Sequence, residues 1–221
     1  MHFGVEAEEP DRAGDVVVMP EPELLLVRHG RSAHVERGWI DVEGLRRWMV
    51  AYDAADILLH HPPPPELESL VRDASRVIAS DLPRAVASAV RLAPGRPIIN
   101  AALLREAPLE CAGSPLPSLG GLRLPYRGWG MVFGARWLVA WLRGAPPPGV
   151  DAAALARAEA AAEWLAAQAR EAGGRVVVVT HATFRLLVAQ ALARRGWRAP
   201  EKRSFREWSA WPYLPPEGSD T

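Results

Sequence analysis

Five side chains in this sequence could together hold a tetrahedral anion and transfer it: Arg28, His29, Arg84, Glu106 and His181. A neutral imidazole can attack phosphorus and so split one difficult displacement into two easier ones. An arginine fork matches phosphate oxygens in pairs and stays charged. Two arginines and a second histidine could neutralise the charge that builds on the equatorial oxygens during transfer. A carboxylic acid can protonate a departing alkoxide and then, as carboxylate, take a proton from water. Each of these residues alone has a plain structural reading, such as a surface ion pair worth about 0–1 kcal/mol for an arginine. Their placement along the chain is what sets them apart.

Each stands just past a segment that reads as a strand. Leu24-Leu25-Leu26-Val27 runs into Arg28-His29-Gly30, and Arg76-Val77-Ile78-Ala79 runs into Ser80-Asp81-Leu82-Pro83-Arg84. Pro97 to Leu104 ends at Arg105-Glu106, and Arg175 to Thr180 ends at His181. Short apolar runs of this kind suit the buried strands of a parallel sheet. Open α/β sheets keep their ligands at the carboxyl edge, so the five groups would converge there. Gly30 would let the backbone approach a ligand closely.

Helical segments separate the strands. Leu45, Trp48, Met49 and Tyr52 are spaced as one helix face, with Asp41 as its cap. Glu66 to Arg72 predicts a short helix, and Pro83 opens another that Ser80 or Asp81 could cap. An Ala-rich helix follows Asp151 and stops at Gly173-Gly174, and Phe184 to Arg195 predicts a further one. The aromatic stripe from Trp129 to Trp141 reads as core. Alternation of residues Phe205 to Tyr213 predicts a last strand. Strand–helix alternation without internal repeats predicts a single α/β domain.

The chain has 221 residues, 49% hydrophobic and 24% charged, which is ordinary for a globular protein. Its formal net charge is zero, which gives no electrostatic support to nucleic-acid or anionic-membrane binding. Cys111 is the single cysteine, so no internal disulfide forms and a reducing, cytoplasmic setting is expected. Residues 1–22 form an acidic, Pro- and Gly-punctuated tail without the basic start and apolar core of a signal peptide. Residues 15–19 could add an edge strand before Pro20. The most apolar later stretch, Trp129 to Leu142, is shorter than the ~20 residues a membrane span requires. His2, His34, His60 and His61 lack partners that would complete a metal site and read as solvated or structural.

The motifs as a set resemble the histidine phosphatase superfamily, the phosphoglycerate-mutase-like proteins. Leu25-Leu26-Val27-Arg28-His29-Gly30 is similar to that family's signature, and Ser80-Asp81-Leu82-Pro83-Arg84-Ala85 to its Ser-x-Leu-x-Arg-Ala segment. Leu104-Arg105-Glu106 resembles its acid segment, and Val178-Val179-Thr180-His181 its second-histidine strand. Order and spacing agree over roughly residues 23–213. The resemblance implies a three-layer α/β/α sandwich with a mostly parallel sheet and one antiparallel edge strand near Trp208 to Tyr213. The domain would span 23–214, with a cap-like insertion at 107–145.

The resemblance also implies roles. His29 would be the phosphorylated nucleophile and Glu106 the proton donor. Arg28, Arg84 and His181 would bind the transferred group, with Gly30 and Ser32 beside it. No metal or other cofactor is implied. The expected activity is hydrolysis of a small-molecule phosphomonoester, without nucleic-acid or membrane partners. Phosphotransfer of the mutase kind and phosphate-ligand binding without turnover are the alternatives, and nothing in the sequence excludes a homodimer. The chain departs from the family pattern at Arg31, where an acid or amide is usual, and at Val35, where an Asn is usual. Ala182-Thr183 replaces a glycine pair, and Leu109 to Gly113 replaces Trp-Glu-Gly. Glu110 is the alternative proton donor. Substrate choice is expected to lie in 107–145, where Tyr126, Trp129, Met131 and Phe133 would form an apolar wall.

Overall fold

Strands that are apolar on every residue must be covered on both faces, and this requirement sets the architecture. The structure is a computed structural model that describes residues 22–34, 38–107, 121–143, 150 and 152–217. The chain order is β1 (Glu23–Arg28), β2 (Trp39–Ile40), α1 (Val42–Asp53), α2 (Pro65–Arg72), β3 (Arg76–Ser80), α3 (Pro83–Leu92) and β4 (Ile99–Ala101). A single 3-10 turn (Ala102–Leu104), β5 (Leu124–Pro125), α4 (Tyr126–Leu142), α5 (Ala152–Ala172), β6 (Arg175–Thr180), α6 (Ala182–Arg194) and β7 (Ala210–Tyr213) follow.

The main sheet has the order β4-β3-β6-β1-β7. The first four strands are parallel, and β7 pairs antiparallel with β1 at the edge, Leu26 opposite Trp211. Successive side chains of a strand point to opposite faces, and the core divides accordingly. Leu24, Leu26, Val176 and Val178 pack with α5 and α6, while Leu25, Val27, Val177 and Val179 pack with α2 and α3. The result is the expected three-layer α/β/α sandwich. Along α5, Ala154, Ala158, Ala161, Ala162 and Ala169 are buried, so a stripe of methyl groups lets that helix lie close to the sheet. A third, smaller cluster joins Leu45 of α1 and Trp129 of α4, next to a two-stranded sheet of β2 and β5.

Several boundaries differ from the sequence expectation. Pro97 to Leu104 gives only the three residues of β4, because the chain tightens into the 3-10 turn before Arg105. Neither Ser80 nor Asp81 caps α3. Leu82 holds that position without a side-chain hydrogen bond, because the Ser80 hydroxyl is engaged elsewhere and Asp81 pairs with Arg105. Asp41 does cap α1, accepting from the Gly44 amide at 2.7 Å. Helix α6 begins two residues earlier than expected, directly after His181. The short pairing of β2 with β5 has no signal in the sequence, being two residues long on each side. The N-terminal tail to residue 21, Val35, Glu110, Cys111, Asp151 and much of the 107–145 insertion lie outside the described residues. Among the described residues, no helix is long and apolar enough to cross a membrane.

Candidate active site

Strands β1 and β6 are neighbours, so the residues that follow them meet. The rings of His29 and His181 lie 5.1 Å apart between centroids. Arg84, in the first turn of α3, points its Nε at His29 Nε2 from 3.3 Å. His29 Nδ1 lies 2.7 Å from the carbonyl oxygen of Gly30. These two contacts fix one tautomer. An arginine Nε–H can only donate, so Nε2 must present its lone pair, and a carbonyl can only accept, so Nδ1 must carry the proton. The nitrogen that faces the guanidinium is therefore the one with a free lone pair.

The imidazole is also held neutral. Burial, then the charge of Arg84, push the His29 pKa from 6.5 down to about 3, against a smaller upward pull from the Gly30 carbonyl. Burial and then the neighbouring His29 and Arg84 push His181 well below its usual value. His181 Nε2 shares a 2.8 Å hydrogen bond with the Ser80 hydroxyl, and its buried Nδ1 has no protein partner. That nitrogen is available to a ligand oxygen. Arg28 reaches the carbonyl of Phe205 with one terminal nitrogen, while its buried Nε is likewise unpartnered.

Gly30 is held by the protein itself on two sides. Its N–H donates to Ser88 Oγ at 2.9 Å, and Ser88 in turn donates to the Arg84 carbonyl at 2.6 Å. A Cβ at Gly30 would fall 2.3 Å from the indole of Trp208. The close approach that demands glycine is thus made by Trp208, which sits at φ 61, a left-handed conformation that is costly for a bulky residue. Trp208 is held there by its N–H to the Arg28 carbonyl and its indole N–H to the His61 carbonyl.

Glu106 lies at the amino end of α6. Its Oε1 accepts from the amides of Phe184 at 2.9 Å and Ala107 at 3.0 Å. Burial raises its pKa, and this outweighs the amide hydrogen bonds that favour the carboxylate. With Oε1 accepting two N–H groups, the proton of the neutral acid belongs on Oε2. The segment that carries this acid is tightly fastened. Arg157 of α5 donates to the carbonyls of Leu103, Arg105 and Glu106, and its guanidinium lies 4.0 Å over the Phe184 ring. Thr180 donates to the Leu104 carbonyl, and Arg105 pairs in two-pronged fashion with Asp81.

Arg84 is fully buried, and its outer edge is held by the Tyr52 carbonyl at 2.8 Å and the half-exposed Asp53 carboxylate at 2.9 Å. The guanidinium also lies 4.4 Å over the Tyr52 ring. Ser32 is buried; its Oγ accepts from the His34 amide, and it bridges to Ile57. Arg185 of α6 is buried with no carboxylate partner among the described residues, donating instead to the carbonyls of Ser204 and Ser209 and stacking 3.7 Å over Trp211. It ties the 204–209 segment, and with it Trp208, to the sheet. Sequence reasoning missed Ser80, Ser88, Tyr52, Arg157, Arg185 and Trp208 as supports. The Ser80 signal was present in the Ser-x-Leu-x-Arg-Ala segment but was read as a cap. Among the described residues, no cluster of three or more His, Cys, Asp or Glu side chains is placed to hold a metal ion.

Comparison with known proteins gives limited likeness. No protein-family model matches the chain, and no curated protein matches it in sequence. Among solved structures, it is similar to phosphoserine phosphatase from Entamoeba histolytica in complex with 3-phosphoglyceric acid, at 16% identity over 78% of this chain and 80% of that one, with a TM-score of 0.45. The ecdysone phosphate phosphatase of Bombix mori in complex with tungstate gives 13% identity, 88% and 92% coverage and a TM-score of 0.47. A Thermus thermophilus protein gives 20%, 87% and 99%, and 0.42. Similarity of this degree assigns neither activity nor substrate, and both must come from the chain's own residues.

The buried histidines have a consequence for stability. A histidine whose pKa falls on folding adds stability above its unfolded value of 6.5, and that stability is lost as pH falls toward the folded value, about 3 for His29. Urea unfolding between pH 6.5 and pH 5 should show the unfolding free energy of His29→Asn falling less steeply than that of the unsubstituted protein. The expected difference grows from about 0.7 kcal/mol per pH unit at pH 6.5 toward about 1.4 at pH 5. Equal slopes would mean that His29 is not held neutral by the fold.

Proposed function

We propose that this protein is a phosphatase of the histidine phosphatase kind, hydrolysing a small-molecule phosphomonoester through a phosphohistidine on His29. The observation that carries this reading is the pairing of a neutral imidazole, its Nε2 lone pair turned to the Arg84 guanidinium, with a buried carboxyl whose pKa is raised. A nucleophile and a proton donor with opposite pKa shifts are what an acid-assisted displacement requires.

In the first step, the Nε2 lone pair of His29 forms a bond to phosphorus as the bond from phosphorus to the ester oxygen breaks. Glu106 gives its Oε2 proton to that oxygen, releasing a neutral alcohol and leaving a carboxylate. The phosphoryl oxygens are received by Arg28, by the buried Nδ1–H of His181 and by Arg84, which yields its contact with Nε2 to the incoming group. In the second step, the Glu106 carboxylate takes a proton from water. The water oxygen bonds to phosphorus and the P–N bond breaks, restoring His29 and releasing inorganic phosphate. The Gly30 carbonyl stabilises the positive charge that spreads over the imidazole when Nε2 is phosphorylated, since Nδ1 still donates to it.

Rapid quenching with radiolabelled phosphomonoester tests this directly. The expected result is label on the protein that is lost in acid and retained in alkali, as suits a phosphoramidate, and that is absent from His29→Ala. Glu106→Gln should accumulate the label when the leaving group is 4-nitrophenol, because that phenolate needs no proton but the second step still lacks its base. Tight vanadate binding with no labelled protein and no turnover would identify a binder instead.

Arg157 provides a second test, because it holds the acid-bearing segment through three of its carbonyls. Arg157→Ala should lower kcat/KM for an alkyl phosphate by about tenfold or more while leaving 4-nitrophenyl phosphate within about threefold, since only the poor leaving group depends on the proton donor. Equal losses on both esters would show that Arg157 acts on the fold at large.

A further inference from the structure

A run of aromatic rings leads away from the catalytic pocket. Tyr52 begins it. Its ring stands edge-on to His29 at 6.3 Å, and its hydroxyl lies within electrostatic range of Arg28, Arg84 and Glu106. Trp48, one helical turn earlier on α1, stacks on Tyr52 at 4.8 Å with the planes 17° apart. Tyr126, the first residue of α4, stacks on Trp48 at 5.4 Å and 13°. His34 lies 5.4 Å from Trp48. All four side chains are half-buried, so the rings retain surface. Within this half-open assembly, Trp48 Nε1 and His34 Nε2 are themselves buried and have no protein partner. Buried polar nitrogens without partners are uncommon and call for an explanation.

The leaving-group oxygen must meet Glu106, the group that protonates it, and Tyr52 adjoins the reacting groups, edge-on to His29 and within electrostatic range of Glu106. An alcohol that leaves past Tyr52 meets the ring assembly. A hydrophilic alcohol such as a glycerate or a serine would gain little from this wall. A flat aromatic alcohol would bury its faces and edges against it, and an acceptor atom on the alcohol would satisfy the Trp48 N–H. We propose that the Tyr52–Trp48–Tyr126 assembly is the leaving-group subsite and that the substrate is a phosphomonoester of a planar aromatic alcohol. This inference rests on the phosphatase reading above. It sharpens the expected apolar wall. Tyr126 belongs to it, whereas Trp129 is fully buried in the small α1–α4 core and Met131 faces outward. The other contributors come from α1, which the sequence assigned only to a helix face.

The test compares 2-naphthylmethyl phosphate with propyl phosphate. Both release primary alkoxides of similar basicity, so the comparison isolates recognition from reactivity. The unsubstituted protein is expected to favour the naphthylmethyl ester by about tenfold or more in kcat/KM, expressed chiefly in KM. Trp48→Ala and Tyr126→Leu should each reduce that ratio severalfold, again through the KM of the aromatic ester. Equal kcat/KM for the two esters in the unsubstituted protein overturns the inference and leaves the phosphatase reading intact. So does an unchanged ratio in both folded variants. Failure to hydrolyse either ester, together with 4-nitrophenyl phosphate, overturns both.

Discussion

The structure turns on one short hydrogen bond, from His29 Nδ1–H to the carbonyl of its own neighbour, Gly30. It decides which imidazole nitrogen keeps its lone pair, and several unusual features nearby serve to keep it. The Gly30 amide is pinned by Ser88, whose hydroxyl is in turn fixed to the backbone of α3. The Gly30 α-carbon is pressed by Trp208, which accepts a left-handed backbone to reach it. Trp208 is anchored through the 204–209 segment by a buried arginine, Arg185, that has no carboxylate partner among the described residues. A buried guanidinium without a carboxylate is costly; here it is offset by carbonyl acceptors and the face of Trp211.

Electrostatics complete what geometry begins. Burial, then the charge of Arg84, holds the His29 imidazole neutral, while burial raises the Glu106 pKa against the amide hydrogen bonds that favour its anion. The start of α6 thus follows His181 directly and donates to Glu106, so the spacing between these two side chains is set by one rigid element. Arg157 locks the other end of that relation by gripping three carbonyls of the acid-bearing segment.

Much of this was legible in the chain. Leu24 to Val27 and Arg175 to Thr180 are apolar on both faces, and only a covered parallel sheet accepts such strands; their adjacency places His29 beside His181. What escaped was of two kinds. Supports such as Ser88, Arg157 and Trp208 act across long sequence separations and carry no local periodicity. Gly30 illustrates the second kind. The residue type announced a close approach, but the sequence could not say that an indole from the segment leading into β7 makes one. Ser80 was misassigned for a related reason: a serine before a helix reads as a cap until a histidine 101 residues away is seen to claim it.

The central claim, that the fold presents His29 as a neutral imidazole with its proton on Nδ1, is open to direct measurement by nitrogen-15 NMR of histidine-labelled protein. Burial and the Gly30 carbonyl should hold the His29 nitrogens at the shifts of the Nδ1–H tautomer from pH 7 down to pH 4.5, with no titration in that range. A proton on Nε2, or titration of His29 near its ordinary value of 6.5, would contradict the account.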